Sequence, residues 1–99
     1  MSVDANVEAG LLRIKIVGRF DFGVHNEFRE ATKRADSGVQ KIEVDLSSTD
    51  YLDSSALGML LVLRDKVAGN KDAIRIIGAR AEVRKILEIA NFDKLFTVA

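Results

Sequence analysis

The sequence predicts a two-layer α/β domain: a mixed, mostly parallel sheet of about five strands, with helices mainly on one face. Strand-like segments with alternating apolar residues are separated by segments with helical spacing, which implies parallel strands joined by crossovers. Two strand segments carry charges at every second position, so one sheet face should be in water. The 99 residues, 47% of them hydrophobic, suffice for one core, and we expect a single domain over residues 1–99.

The N-terminal part predicts a β-hairpin followed by a helix. Two alternating segments flank a turn at residues 8–10, and their apolar positions are Val3, Ala5, Val7, Leu12, Ile14 and Ile16. After residues 18–21, apolar residues at helical spacing predict an amphipathic helix over 24–35, and Gly38 lies past its end. This part supplies the first two strands and the first helix.

The middle of the chain predicts a strand, a capped turn and a helix. Residues 41–46 alternate Ile42, Val44 and Leu46 with charged neighbours, as in a strand with one wet face. Residues 47–53 are rich in turn and cap formers. A central helix is then expected over 54–68, closed by Gly69 and Asn70.

The C-terminal part predicts a strand at 74–77, a helix over 81–90 and a short strand at 95–98. The expected order of elements is therefore ββαβαβαβ. Helices between strands again favour parallel crossovers.

Composition excludes several classes of function. There is no Cys and only one His, His25, so neither a disulfide framework nor a structural zinc site is expected, and no cofactor is predicted. Fifteen basic residues balance fifteen acidic ones without a basic block, which argues against nucleic-acid binding. The N-terminus lacks a secretory signal, and no stretch is apolar enough to span a membrane. We expect a cytoplasmic protein whose partner is another protein.

The central helix is more apolar than a helix lying on a sheet requires. Apolar residues surround almost all of its first two turns, so part of this surface is predicted to bind a partner. Exposure is expected near Met59 and Val62, and the predicted partner-binding residues are Ala56, Leu57, Met59 and Val62. The alternative is that flanking helices or loops cover the same surface.

Asp53, Ser54 and Ser55 directly precede this apolar run, and these residue types commonly cap helices. Residues 44–58, from Val44 to Gly58, resemble the signature of STAS domains, in particular the bacterial anti-sigma factor antagonists. A weaker similarity extends over the whole chain, including residues 18–21 before the first helix. Spacing alone would leave this segment as a helix cap.

The resemblance implies a phosphorylation switch. In the family, the Ser after the Asp is phosphorylated by an anti-sigma factor with serine kinase activity, and a serine phosphatase reverses the change; the matching residue is Ser54. The unphosphorylated antagonist binds the anti-sigma factor and releases the sigma factor. By the same matching, Asp21, Asp53 and Ser55 are neighbours of the switch site. Ala56 departs from the family pattern, which usually has Gly there.

Other interpretations remain open at this point. The same module could act as an unphosphorylated STAS scaffold, and Asp21 could be only a turn-forming carboxylate. An enzyme is disfavoured because Ser54 does not lie in a nucleophile elbow and His25 fits an exposed helix position. A phospho-acceptor receiver domain is also disfavoured, since Asp45 belongs to the wet face of its own strand.

Overall fold

The computed structural model describes residues 2–36 and 38–99. The strands are β1 (Ser2–Glu8), β2 (Leu11–Phe20), β3 (Lys41–Asp45), β4 (Thr49–Leu52), β5 (Ile74–Ile77) and β6 (Thr97–Val98). The helices are α1 (His25–Lys33), α2 (Ser54–Asp65) and α3 (Ala81–Ile89). Short 3-10 turns flank α1 and precede β5 and β6.

The sheet is mixed and mostly parallel, as predicted. Strand β1 pairs antiparallel with β2, and the order then continues through parallel β3, β5 and β6. Strand β4 lies off this path and pairs parallel with the end of β2. Within the described residues the sheet therefore has six strands, where about five were expected.

Strand β4 was missed because its residues lie in a segment rich in turn and cap formers. Its partner β2 continues beyond the end of β3, with a change of register at Gly18, whose φ is +90°. Thr49 is fully buried, and its hydroxyl donates to the Ile16 carbonyl at 2.8 Å. Pairing with a strand about thirty residues earlier thus overrides the local turn preference.

One face of the sheet carries the core and the other carries charge. Leu12, Ile14 and Ile16 of β2 are fully buried, whereas Arg13 and Lys15 between them are exposed. On the charged face Arg13 Nε donates to Glu43 Oε1 at 2.8 Å across the β2–β3 pair. This confirms the predicted wet face.

The predicted helices are present with shorter bounds. Helix α2 ends at Asp65, and the predicted residues up to 68 form turns in which the Gly69 N–H donates to the Arg64 carbonyl at 3.1 Å. Leu60 and Leu63 of α2 are fully buried in the core. In the described part of the chain, no helix is long and apolar enough to cross a membrane.

Candidate functional site

Asp53 is the N-cap of α2 and is fixed by two hydrogen bonds. Its Oδ1 accepts from the Ala56 N–H at 3.0 Å and from the Ser55 hydroxyl at 2.6 Å. The Ser55 hydroxyl, and after it the Ala56 N–H, hold the pKa of the Asp53 carboxyl below its ordinary value. Asp53 and Ser55 therefore position each other at the start of the helix, and Asp53 is ionised at neutral pH.

Ser54 differs from both of its neighbours. It is the first residue of α2 and is exposed. Among the groups that the structure describes, none forms a hydrogen bond with its hydroxyl. Because Asp53 supplies the cap, the Ser54 hydroxyl has no structural task here and is accessible at a helix N-terminus, where the helix dipole favours a negative group.

Asp21 lies beside this helix start because β2 and β4 are neighbours. Phe20 and Leu52 are opposite each other in the β2–β4 pair, and Asp21 and Asp53 follow them directly. The Asp53 N–H also donates to the Phe20 carbonyl at 3.4 Å. The structure thus brings Asp21 and Asp53, two of the predicted neighbours of Ser54, to the same edge of the sheet.

The Asp21 carboxylate has two partners of its own. Its Oδ1 accepts from the Gly23 N–H at 2.8 Å, and its Oδ2 lies 3.3 Å from Arg19 Nε. The Arg19 guanidinium in turn lies 4.5 Å above the centre of the Tyr51 ring. Arg19 and Tyr51 were not predicted as part of the site, because their contact depends on the pairing of β2 with β4. The local signal for them was weak: Arg19 lies two residues before Asp21, and Tyr51 lies two residues before Asp53.

The exposed face of α2 runs from Ser54 through Gly58, Leu61 and Val62 to Asp65. Val62 is 58% exposed, as expected, and Leu61 is 39% exposed. Gly58 was not predicted as part of this face; apart from its chain neighbours and the adjacent helix backbone, a Cβ built there would meet no described atom within 4 Å. The helix therefore exposes two apolar side chains, Leu61 and Val62, between the polar Ser54 at its start and the charged Asp65 at its end.

Two of the predicted partner-binding residues do not lie on this outer face: Met59 lines a groove between α1 and α2, and Ala56 is buried. Met59 is only 8% exposed, because α1 packs alongside α2 at this level, and Ala56 is fully buried. The expectation of exposure near Met59 was wrong, and the Ala56 side chain has no surface for a partner. Leu57 is half-buried, so Val62 is the most accessible of the four predicted residues.

The remaining candidates considered from the sequence have local partners. Asp45 Oδ1 accepts from the Ser47 N–H at 2.9 Å. Partial burial raises the pKa of Asp45, but hydrogen bonds from Ser47 and the charges of Lys15 and Arg13 outweigh it, so the pKa lies below its ordinary value. His25 stacks on Phe22, with ring centres 5.0 Å apart. Asp45 thus serves as a turn-forming carboxylate.

Comparisons with known proteins show the family of this chain. A family model described as "Mlab, STAS domain" matches residues 1–97. A STAS-domain containing protein of Pseudomonas aeruginosa (strain UCBPP-PA14) is 50% identical over 88 residues, which are 89% of this chain and 87% of that protein.

Several solved structures share the fold. An anti-sigma factor antagonist from Mycobacterium paratuberculosis is similar with a TM-score of 0.82 at 19% identity, covering 98% of this chain and 83% of that one. The Bacillus cell fate determinant SpoIIAA in its phosphorylated form gives a TM-score of 0.72 at 16% identity, covering 99% and 91%. The fold is therefore that of anti-sigma factor antagonists, and the chain belongs to the STAS-domain family.

Proposed function

We propose that this STAS domain is an anti-sigma factor antagonist that is switched off by phosphorylation of Ser54. The observation that carries the proposal is the exposed Ser54 hydroxyl, free of hydrogen bonds within the described structure, at the start of a helix whose outer face exposes Leu61 and Val62. In the unphosphorylated state the protein binds an anti-sigma factor and so releases the sigma factor. The protein itself is a kinase substrate and not an enzyme.

Phosphorylation at this position is compatible with the fold. The γ-phosphoryl group of ATP would transfer to Ser54 Oγ, breaking the bond to ADP while a base of the kinase takes the hydroxyl proton. Asp53 keeps its bonds to Ser55 and Ala56, since neither involves the Ser54 side chain. The new phosphate lies at the positive end of the α2 dipole. A serine phosphatase would restore the hydroxyl by hydrolysis.

The physical effect of the phosphate is to charge the edge of a docking surface. It adds about −1.5 to −2 charges next to Asp53, which is ionised at neutral pH. A partner that covers the outer face of α2 must remove water from these charges. Leaving such a charge buried without a counter-charge costs about 3 to 5 kcal/mol, or roughly two to three and a half decades in affinity.

Phosphorylation can be tested with the purified domain, its cognate anti-sigma factor and ATP. Mass spectrometry of the wild type should find one added phosphate at Ser54, and Ser54→Ala should abolish it. Ser48→Ala is the matched control, because Ser48 is also a serine without a side-chain hydrogen bond in the described structure.

Binding of the unmodified protein and of Ser54→Asp to the same anti-sigma factor gives the second readout. We expect Ser54→Asp to bind more weakly. If no phosphate is added at Ser54 and both forms bind equally well, the switch is wrong and the chain is an unphosphorylated STAS scaffold.

A further inference from the structure

A groove of about 240 Å³ lies between α1 and α2, on the side of α2 that Val62 exposes. Its lining residues are His25, Phe28, Arg29, Thr32, Met59 and Val62. Phe28 and Met59 are almost completely buried and form its apolar base, while Val62 forms an open wall. The groove is therefore large and apolar enough to take a side chain from another molecule.

Arg29 places a positive charge at the groove. Among the side chains that the structure describes, none forms an ion pair with Arg29. Its neighbours three and four positions away on α1 are His25, Asn26, Thr32 and Lys33, so no carboxylate of the helix can reach it at those spacings. The acidic residues of α1, Glu27 and Glu30, line a different depression beside β1.

The surface around the groove is open to a close approach. Gly58 lies on the outer face of α2, one turn before Val62, and has free space where a side chain would project. Distances between packed helix axes depend on the side chains at the contact, so a glycine here allows a partner backbone to come near α2. At the other end of the groove, Phe22 is 67% exposed and stacks on His25, which extends the apolar rim.

We propose that this groove binds an acidic amphipathic helix of the partner, with an apolar side chain between α1 and α2 and a carboxylate opposite Arg29. The unpaired positive charge selects a negative partner, and the apolar base and open Gly58 surface suit a helix laid into a groove. Asp65 lies one turn beyond Val62 and does not line the groove. The proposal rests on the proposed function in one respect: a phosphate on Ser54 would repel the same acidic segment that Arg29 attracts.

The test uses two synthetic peptides of about 15 residues, held helical by a hydrocarbon staple because free helices of that length are marginal. Both carry the same leucine face, and the flanking positions are Glu in one and Lys in the other. Fluorescence anisotropy gives the dissociation constants at low and moderate salt. We expect the Glu peptide to bind about threefold to tenfold more tightly, with a preference that decreases as salt is added.

Two charge-reversed variants separate the groove from the overall charge of the protein. Arg29→Glu should reverse the preference in favour of the Lys peptide. Arg75→Glu is the matched control, because Arg75 is an exposed arginine on the charged face of the sheet and alternates with buried Ile74 and Ile76. It should leave the preference within about twofold of the wild type.

Chemical-shift mapping with the Glu peptide should place the largest changes at Thr32, Met59 and Val62. Absence of binding by both peptides, equal binding of the two, or the same effect from Arg75→Glu as from Arg29→Glu would overturn the proposal. The peptide assay does not involve phosphorylation. A failure of the groove is therefore distinguishable from a failure of the Ser54 switch, which the kinase reaction tests.

Discussion

Replacing Gly58 on the outer face of α2 by alanine should stabilise the protein. Replacing a glycine usually has the opposite effect. Gly58 lies inside the helix and has no positive φ, and beyond its chain neighbours and the adjacent helix backbone no described atom lies within 4 Å of a built Cβ. A glycine within a helix costs about 0.5 to 1 kcal/mol relative to alanine. Gly58→Ala should therefore raise the free energy of unfolding by that amount, or the melting temperature by about 2 to 8 °C for a domain of this size.

Urea unfolding followed by circular dichroism measures the change, with Gly69→Ala as the matched control. Gly69 follows the end of α2 with φ +69°, and its built Cβ lies 3.2 Å from Arg64 Nη1. A left-handed conformation costs a non-glycine residue about 1 to 2 kcal/mol, so this variant should lose stability. A loss of stability in Gly58→Ala would refute the reasoning, because it would mean that the outer face of α2 is packed rather than open.

Further predictions concern the start of α2. Ser54→Ala should change the free energy of unfolding by less than about 0.5 kcal/mol. Asp53→Ala should lower it by about 1 kcal/mol, because Asp53 is the N-cap of α2. A large loss of stability in Ser54→Ala would show that its hydroxyl has a structural role. The pKa of Asp53 is lowered in the folded protein, so the unfolded chain binds this proton more readily. Its contribution to stability is then complete above about pH 4 and is lost as the pH falls through the folded pKa. The free energy of unfolding, measured between about pH 3 and 6, should fall less steeply with acid in Asp53→Asn than in the wild type. The same pH slope in both proteins would contradict the lowered pKa of Asp53.

Most of the fold could be predicted from the sequence, because strand and helix periodicities are local signals. The alternation along β2 and β3 indicated both the strands and the wet face. Strand β4 could not be predicted in this way, since it has only four residues and its pairing depends on the distant end of β2. The contact between Arg19 and Tyr51 was missed for the same reason.

The sequence indicated which residues form the candidate site, but not which of them caps the helix and which is accessible. Helix-capping chemistry singled out Asp53, Ser54 and Ser55. Only the geometry shows that Asp53 caps the helix, while the Ser54 hydroxyl has no hydrogen-bond partner among the described residues. The exposed side of α2 was placed partly wrongly, because periodicity does not show which neighbouring element covers Met59. Burial by α1 decides that point.

The most direct test of the proposed switch is the affinity of the proposed partner, an anti-sigma factor, for the same protein with and without a phosphate on Ser54. Isothermal titration calorimetry on enzymatically phosphorylated and unmodified protein gives both dissociation constants. We expect phosphorylation to weaken binding by about two to three and a half decades while the circular dichroism spectrum stays unchanged. Dissociation constants that agree within about threefold, a difference of less than 1 kcal/mol, would contradict the account.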